Sequence, residues 1–577
     1  MPFGYHGSYL RIDASRNTAE LRPLSEETLR QFIGGSGLGV KLLLDEGAAA
    51  MDPLAPESPL IFTFSPLVGS PLTTSAKFAV VSKSPLTERI NDSLASSGFA
   101  IAGKGCGCDA ILIVGRAPEL SVLIIDEGKV RFEPAAEYRG ATCRDTEERV
   151  RTRLGAHFRV ASIGPAAENG VRYATISHDG RHAGRGGSGA VLDAKNVKAI
   201  AIHGTQRTDW SNPKQLTTLS KELSRKSFGP ATAKYSQLGT ATNLLTFNRL
   251  SALPTRNFQT GIFEEAPNIS AEHLTAVRQK TRKSCAACTI GCEHIYSNGE
   301  AGTGVRIEYE SLFALGSLCG VGDADAVLRA SQRCDELGID TISTGGTIAF
   351  AMECVSRGWL DEPWLTFGSG EALLRAIELI GSRQGLGNVL AEGSRRAALA
   401  IGHHSIAIAP QVKGLEIPGY EPRALQTMAL GFAVGARGAD HNRSGAYEID
   451  FSDKVDRRRV TLDAVGYAIE TEDKAALMDS LILCKFLRGV FKDFHAESAE
   501  MLRYVTGWNV TTDELRETAR RIVSSKRQFN LLAGWTPSED TLPERFLNTA
   551  LPSDPEAFLS RASLEDLVAE YHRQRGW

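Results

Sequence analysis

Three thiols fall within eight positions of a 577-residue chain, Cys285, Cys288 and Cys292, at the spacing C-x2-C-x3-C. Sulfurs so close in sequence can converge on one face of a small metal cluster. Thiolates are the usual ligands of iron–sulfur clusters, and such a triad needs a fourth ligand from elsewhere in the chain. Zinc is the first alternative, but structural zinc sites usually offer two ligand pairs and no second C-x-x-C occurs; His294 is then the candidate fourth ligand. Radical enzymes that use S-adenosylmethionine carry the reverse spacing, C-x3-C-x2-C. The triad by itself indicates a 4Fe–4S cluster and names no reaction.

The elements that must position these thiols follow from length and texture. At this length two to four packed domains are expected, enough to bury a cofactor. Basic and acidic residues number 65 and 68, a net charge of -3, and no basic block in the sequence suits a phosphate backbone, so nucleic acid is not an expected partner. The first thirteen residues lack the apolar core of a signal peptide, and the longest apolar runs, such as 110–114, are far too short to span a bilayer. A cytoplasmic protein with no membrane span is expected. Ten cysteines are too sparse for a disulfide scaffold, and clustered ones in a reducing compartment bind metal more often than they pair.

Alternation and β-branched content predict strands over 60–64, 78–82, 110–114, 122–126, 160–163 and 199–203. From about Asn212 the texture changes to helical spacing, over 213–226, 324–336, 371–384 and 512–532. No low-complexity tract or fixed-period repeat interrupts it. The expected fold is α+β: an N-terminal β-rich domain over 1–207, then two mainly α-helical domains over 208–410 and 411–577 that meet around a shared site.

Several further segments stand in a fixed order along the chain. They are Gly34-Gly35-Ser36-Gly37-Leu38-Gly39, Ser82-Lys83-Ser84-Pro85-Leu86-Thr87, Gly184-Arg185-Gly186-Gly187, the cysteine triad, and Asp335-Glu336-Leu337-Gly338-Ile339-Asp340. Arg437-Gly438-Ala439-Asp440-His441, Asp479-Ser480-Leu481-Ile482-Leu483-Cys484 and Arg575-Gly576-Trp577 follow. In this order they resemble the aldehyde:ferredoxin oxidoreductase family, the tungsten-bispterin enzymes, over essentially the whole chain.

The resemblance implies a tungsten-bispterin, with molybdenum an alternative metal, and one 4Fe–4S cluster whose fourth ligand is Cys484. Without it, Cys484 reads as a buried core cysteine on a helix. Cys106, Cys108, Cys143, Cys319, Cys334 and Cys354 match no ligand position. The forms Asp335-x-x-Gly338-x-Asp340 and Asp479-x-x-Ile482-x-Cys484 suggest two like pieces of chain for two like ligands. Buried carboxylates accept charge-assisted hydrogen bonds from pterin N–H groups, so Asp335, Asp340 and Asp479 are the expected pterin ligands, with Leu483 beside them. The alternative for the aspartates is helix capping. The resemblance further sets Arg181, His182, Gly184 and Arg185, with Lys77 and Ser96, against the pterin and its phosphates.

Departures from the family are Ile482, where the second motif commonly has glycine, and Leu94, where an asparagine commonly stands near a magnesium ion bridging the pterin phosphates. Leu94 cannot supply that contact, which leaves magnesium to backbone oxygens and water. Arg329 replaces a glutamate of an iron site known in some family dimers, so any oligomer or hetero-complex here is expected to be built without it. Gly184-Arg185-Gly186-Gly187-Ser188-Gly189 also satisfies G-x-G-x-x-G, but a lone match is weak evidence for NAD.

Glu310 lies eighteen positions after Cys292, the offset of the family's active-site glutamate, and His441 matches its histidine. Taken alone, Glu308 and Glu310 read as solvated or capping acids and His441 as a polar core residue. The resemblance implies Glu310 as general base and His441 as polarising donor in the oxidation of an aldehyde by water. Acceptors would be ferredoxin, or separate iron–sulfur and flavin subunits. Two readings compete: the catalytic subunit of an aromatic acyl-CoA (benzoyl-CoA) reductase, and a non-catalytic iron–sulfur electron-transfer subunit.

Overall fold

The computed structural model describes residues 2–298 and 304–577, so of the opening stretch only Met1 lies outside the described residues. Two six-stranded sheets make up the N-terminal part. The first is built of β1 (Ser8–Asp13), β2 (Thr18–Pro23), β3 (Leu60–Thr63), β4 (Lys77–Lys83), β5 (Ile90–Ser96) and β6 (Ala110–Val114), in the order β2-β1-β6-β3-β4-β5. The second holds β7 (Ser121–Asp126), β8 (Lys129–Pro134), β9 (Arg159–Ser162), β10 (Ile176–His178), β11 (Arg181–Ala183) and β12 (Val197–His203), in the order β11-β10-β9-β12-β7-β8. All six sequence-predicted strands are present. Their apolar runs are wholly buried in β3 and β6 because both faces are covered.

Helices follow the predicted spans closely, at Pro213–Lys226, Ala324–Leu337, Gly370–Ser382 and Thr512–Leu532. Two features differ from the sequence reading. The N-terminal part also holds helices, among them Gly35–Asp45 and Cys143–Leu154. The helical part contains a third sheet of β13 (Lys280–Lys283), β14 (Glu293–Ser297) and β15 (Gly304–Arg306). These strands are short, and three of the four residues of β13 are exposed, so no apolar alternation marks them. One apolar core runs from Leu10 to Tyr571, across the boundaries read near 207 and 410.

The glycine-rich segment at the start is explained by close approach. Gly35 opens the helix Gly35–Asp45 with φ +44°, and a Cβ there would lie 2.1 Å from the Asp479 carbonyl oxygen and 2.7 Å from Ile482 Cδ1. That contact ties the N-terminal part to the end of the helix Ala464–Leu481. Gly35→Ala should therefore lower the midpoint of urea unfolding, with a loss of about 1–3 kcal/mol from overpacking. An unchanged midpoint would show that the two segments can move apart freely.

Candidate active site and metal centre

Because β13 and β14 pair antiparallel, with Lys283 opposite Glu293, residues 285–292 form the loop that closes a hairpin. Ala287 and Gly291 turn this loop with φ of 50° and 62°. Thr73 and Thr74 hold it from the N-terminal part. Thr289 N donates to Thr73 Oγ1 at 3.1 Å, Thr74 N donates to the Ala287 carbonyl at 2.6 Å, and Cys484 N donates to Thr74 Oγ1 at 3.3 Å. Two adjacent threonines thus join the triad to a cysteine nearly two hundred residues later.

The four thiols lie within electrostatic reach of one another. The Cys288 thiol's hydrogen bond, against the opposing effect of burial and aided by Arg181, Ser96 and Lys77, brings Cys285 down to about 5. That hydrogen bond, with burial and the nearness of Cys484, pushes Cys288 up; burial and the nearness of Cys484 and Cys285 push Cys292 up. Among the described residues, no three or more His, Cys, Asp or Glu side chains gather round a single ion. His294 turns to the helix Pro230–Leu238, with Nε2 3.2 Å from the Tyr235 carbonyl. The other six cysteines are buried.

A cavity of about 1300 Å³ opens beside this loop, lined by Ser96, Arg181, His182, Cys285 and Asp335 among others. It brings together five of the residues singled out in the sequence. His182 Nε2 lies 3.1 Å from Asp335 Oδ1, and its Nδ1 lies 2.8 Å from Thr175 Oγ1, so the imidazole is fixed between an acid and a hydroxyl. Arg181 pairs with buried Glu293. Lys77 stands opposite Ser96 in the β4–β5 ladder.

Other expected ligands are placed elsewhere. Asp340 caps the helix Thr341–Ser356, accepting from Ile342 N and Ser343 N at 3.3 and 3.1 Å. The Arg185 guanidinium is turned to Asp340 Oδ2 at 3.4 Å, the Ala439 carbonyl at 2.7 Å and the Glu416 carbonyl. Gly184 adjoins it in the turn after β11. That turn joins β11 to β12 through a short helix, Ser188–Asp193, but the two strands run antiparallel and are not neighbours. A dinucleotide fingerprint requires a parallel βαβ unit at that place.

The two aspartate motifs share one backbone form. The helices Ala324–Leu337 and Ala464–Leu481 both end on a left-handed residue, Gly338 at φ 73° and Ile482 at φ 64°. A β-branched residue is strained there, by about 1–2 kcal/mol. The Ile482 side chain is buried against Gly35, which offsets that cost. Leu483 is buried in the same apolar cluster and its N–H donates to the Met478 carbonyl at 2.9 Å, which leaves its carbonyl oxygen as the one group to offer a ligand. Leu94 is half-buried and packs on that cluster as well.

Asp479 is fully buried, with Arg443 Nη1 at 3.2 Å and Lys485 Nζ at 2.8 Å. Arg443 also reaches Asp92 Oδ1 at 3.1 Å, and Lys526 Nζ meets Asp92 Oδ2 at 2.7 Å. Arg437 joins the set through Asp440 Oδ2 at 2.7 Å and the Asp92 carbonyl at 3.1 Å. Burial alone would push the Asp92 carboxyl up; Arg443, Lys526 and Arg437 together hold it far below the ordinary range. Burial brings Lys485 down to about 7 against the pull of Asp479. Three carboxylates, Asp92, Asp440 and Asp479, thus meet Arg437, Arg443 and Lys526, with Lys485 near its neutral form beside Asp479.

Glu310 and His441 meet in the interior, with Oε1 and Nε2 3.6 Å apart. Gly419 N donates to Glu310 Oε2 at 3.0 Å, and the Tyr309 hydroxyl donates to the Gly419 carbonyl, so one glycine clamps the start of the helix Tyr309–Leu315 from both sides. Burial pushes Glu310 up to about 8 and His441 down to about 3. The imidazole stacks on Tyr420 at 4.8 Å, with Tyr447 beyond at 6.0 Å, and Asn442 Nδ2 lies 2.9 Å from its Nε2. Donation from Asn442 assigns the proton to Nδ1. Glu310 Oε1 and His441 Nδ1 are buried without a partner. Glu308, by contrast, is exposed and paired with Arg306.

Asp92, Arg443, Lys485, Lys526, Gly419 and Tyr420 escaped the sequence reading. Lys526 had a visible signal. It follows Leu515, Ala519 and Ile522 on the buried stripe of Thr512–Leu532, where a lysine demands a buried partner.

The profile described as aldehyde ferredoxin oxidoreductase, N-terminal domain, matches residues 9–204, and that described as domains 2 and 3 matches 218–577. The tungsten-containing aldehyde ferredoxin oxidoreductase of Pyrococcus furiosus is 35% identical over all of this chain and 96% of its own length, as is that of Thermococcus kodakarensis. The WOR-like subunit of an aliphatic sulfonate oxidoreductase from P. furiosus is 28% identical over the whole chain and 95% of that protein. Among solved structures, the active-site complex BamBC of benzoyl-coenzyme A reductase with 1,5-dienoyl-CoA superposes with a TM-score of 0.84, covering all of this chain and 95% of that one at 22% identity. This last likeness shows the fold alone.

Replacing the hub of the ion network gives a direct check. Asp92→Asn leaves Arg443, Lys526 and Arg437 without their carboxylate, and breaking buried pairs from one side costs about 3–5 kcal/mol. A clear fall in melting temperature by calorimetry is expected at neutral pH. The Asp92 contribution is present above the unfolded carboxyl pKa and fades as pH falls, so the gap between wild type and variant should narrow in acid.

Proposed function

The chain belongs to the aldehyde ferredoxin oxidoreductase family, and on that premise we propose that it oxidises aldehydes to carboxylates, RCHO + H2O → RCOO⁻ + 3 H⁺ + 2 e⁻. The buried pair of Glu310 and His441 carries this reading, because each presents one unpartnered polar atom of the kind the reaction needs. In this reading Cys285, Cys288, Cys292 and Cys484 hold one 4Fe–4S cluster. Ser96, Arg181, His182 and Asp335 on the cavity hold one pterin of a tungsten- or molybdenum-bispterin, with Lys77 beside them. Asp340, with Gly184 and Arg185 next to it, Asp479 and the Leu483 carbonyl serve the second. The donor set suits these groups: thiols in mutual reach, and an acid with an arginine and a histidine beside an open cavity. When bound, the metal centre would accept the electron pair and the cluster would relay electrons singly.

The chain's own residues handle position and protons. Gly419 N–H holds Glu310 Oε2 and leaves Oε1 to take the proton from the hydrated carbonyl carbon or its water. Burial keeps Glu310 poised near 8, within reach of neutral pH, whereas an exposed carboxylate would be a far weaker base. Neutral His441, fixed by Tyr420 and Asn442, offers Nδ1–H to the carbonyl oxygen as negative charge grows there. Tyr420 and Tyr447 stand against the His441 ring, and Phe247 and Tyr309 pack on Tyr420, an aromatic surrounding that suits an aryl aldehyde as first substrate. Electrons would pass to ferredoxin or to iron–sulfur and flavin subunits in the cytoplasm; among the described residues no helix is long and apolar enough to cross a membrane.

Benzaldehyde and benzoyl-CoA, assayed separately with a viologen dye, test the proposal. Dye reduction with the aldehyde is expected, and turnover of the thioester alone would favour the acyl-CoA reductase reading. Iron without tungsten or molybdenum in the purified protein would favour the electron-transfer reading. With aldehyde, kcat/KM should rise with pH through about 8, as the base form of Glu310 grows, and that limb should vanish in Glu310→Gln. Cys484→Ser should lower bound iron and the dye-linked rate together; full iron content would remove Cys484 from the ligand set.

A further inference from the structure

Arg488 ends the short turn that follows Cys484, and its guanidinium is engaged at one corner only. Nη1 donates to the Tyr447 hydroxyl and pairs with Glu448 Oε1. The opposite edge, Nε and Nη2, makes no hydrogen bond among the described residues, and Nη2 is buried without a partner. The side chain as a whole is only 11% exposed. A buried N–H without an acceptor carries the full cost of its desolvation, which a bound acceptor would recover.

This free edge adjoins the site already described. Arg488 Cζ lies 5.6 Å from the centre of the Tyr447 ring, and that ring lies 6.0 Å from the His441 imidazole and 5.1 Å from Tyr420. One aromatic ring thus joins the guanidinium to the imidazole. Behind burial, and with Arg185, the Arg488 charge helps to hold His441 low, so it reaches that ring electrostatically as well. The two other guanidinium groups that act on His441, Arg185 and Arg443, bond through all three of their nitrogens. Arg488 alone of the three has an edge to offer. Two parallel N–H groups on a planar cation match the two oxygens of a carboxylate. Glu448, itself 31% exposed, stays on the Nη1 corner, so an acceptor at the other edge does not displace it.

We infer that Arg488 determines specificity, its Nε–Nη2 edge receiving a carboxylate at the far end of an aldehyde whose reacting carbon lies at Glu310 and His441. The substrate class is then an aldehyde acid, a formylbenzoate or a semialdehyde, and the product is a dicarboxylate. The inference rests on the aldehyde-oxidising reading for the chemistry at the near end, and on the free guanidinium edge for the far end. The bond changes are those already written: water adds to the carbonyl carbon, two electrons leave, and the far carboxylate is unaltered. Arg488 moves no proton; it selects and orients.

Holoenzyme assayed with benzyl viologen on 3- and 4-formylbenzoate, each beside its methyl ester, tests this. The ester keeps the ring and its electron withdrawal but removes the charge. At least one acid should exceed its ester by about tenfold or more in kcat/KM, through KM rather than kcat. Arg488→Met should erase that ratio while tungsten or molybdenum content and melting temperature stay close to wild type. Arg488→Lys, a point charge without the fork, should restore part of it. Wild-type enzyme that treats both acids like their esters would overturn the inference. So would an Arg488→Met protein that loses acid and ester turnover alike, or loses its metal, since Arg488 would then serve the fold or the cofactor. Calorimetric binding of terephthalate and benzoate separates the two readings. If wild type binds terephthalate about tenfold tighter than benzoate, Arg488→Met does not, and no aldehyde reduces the dye, the carboxylate subsite stands and the oxidation reading fails instead.

Discussion

The carboxylate of Asp92 is the point on which the assembly turns. It sits on β5, in the N-terminal sheet, and is met by Arg443 and Lys526 from segments 351 and 434 residues away. A buried carboxylate without cations would be costly, and buried cations without a carboxylate equally so; each segment is therefore held by the charge of the others. Through Arg443 the network continues to Asp479, and through Arg437 to Asp440, which caps the turn that presents His441. The placement of His441 and the joining of the N-terminal sheet to the later helices thus depend on one set of ion pairs.

Low dielectric serves the candidate active site in a second way. Glu310 and His441 carry opposite perturbations from the same cause, since burial disfavours the charged form of each. The result is a base and a neutral hydrogen-bond donor side by side, where in water both would be largely ionised at mildly acid pH. Gly419 matters because it satisfies one carboxyl oxygen and no more, and Tyr420 because it fixes the ring it stacks on.

The cysteine loop stands in contrast. It projects from a small sheet with an exposed edge strand, and its placement comes from hydroxyl and backbone contacts with Thr73 and Thr74. Interior charge is shared among the ion pairs around Asp92, while Arg181 and Lys283 beside the loop line an open cavity. One part of the chain suits a reaction sheltered from water, and the other suits exchange with a partner.

Much of this was legible in the order of residues. The strands of the first sheets and the long helices follow from local alternation and period, and helix ends from caps and left-handed residues, all of which depend on near neighbours. Motifs singled out the triad, Cys484, Glu310 and His441, and the fold brings Cys484 to the triad and Glu310 to His441. The sheet that presents the triad was not legible, because its strands are too short and polar to carry a pattern. Nor was the division of the aspartates, with Asp335 on the cavity, Asp340 on a helix cap and Asp479 among cations, since similar local motifs take their roles from what packs against them. Lys526 hinted at a partner without naming it. Sequence alone determined which groups this protein holds in its elements; only the tertiary structure decided which charges meet, because Coulomb interactions and desolvation depend on distance through space and not along the chain.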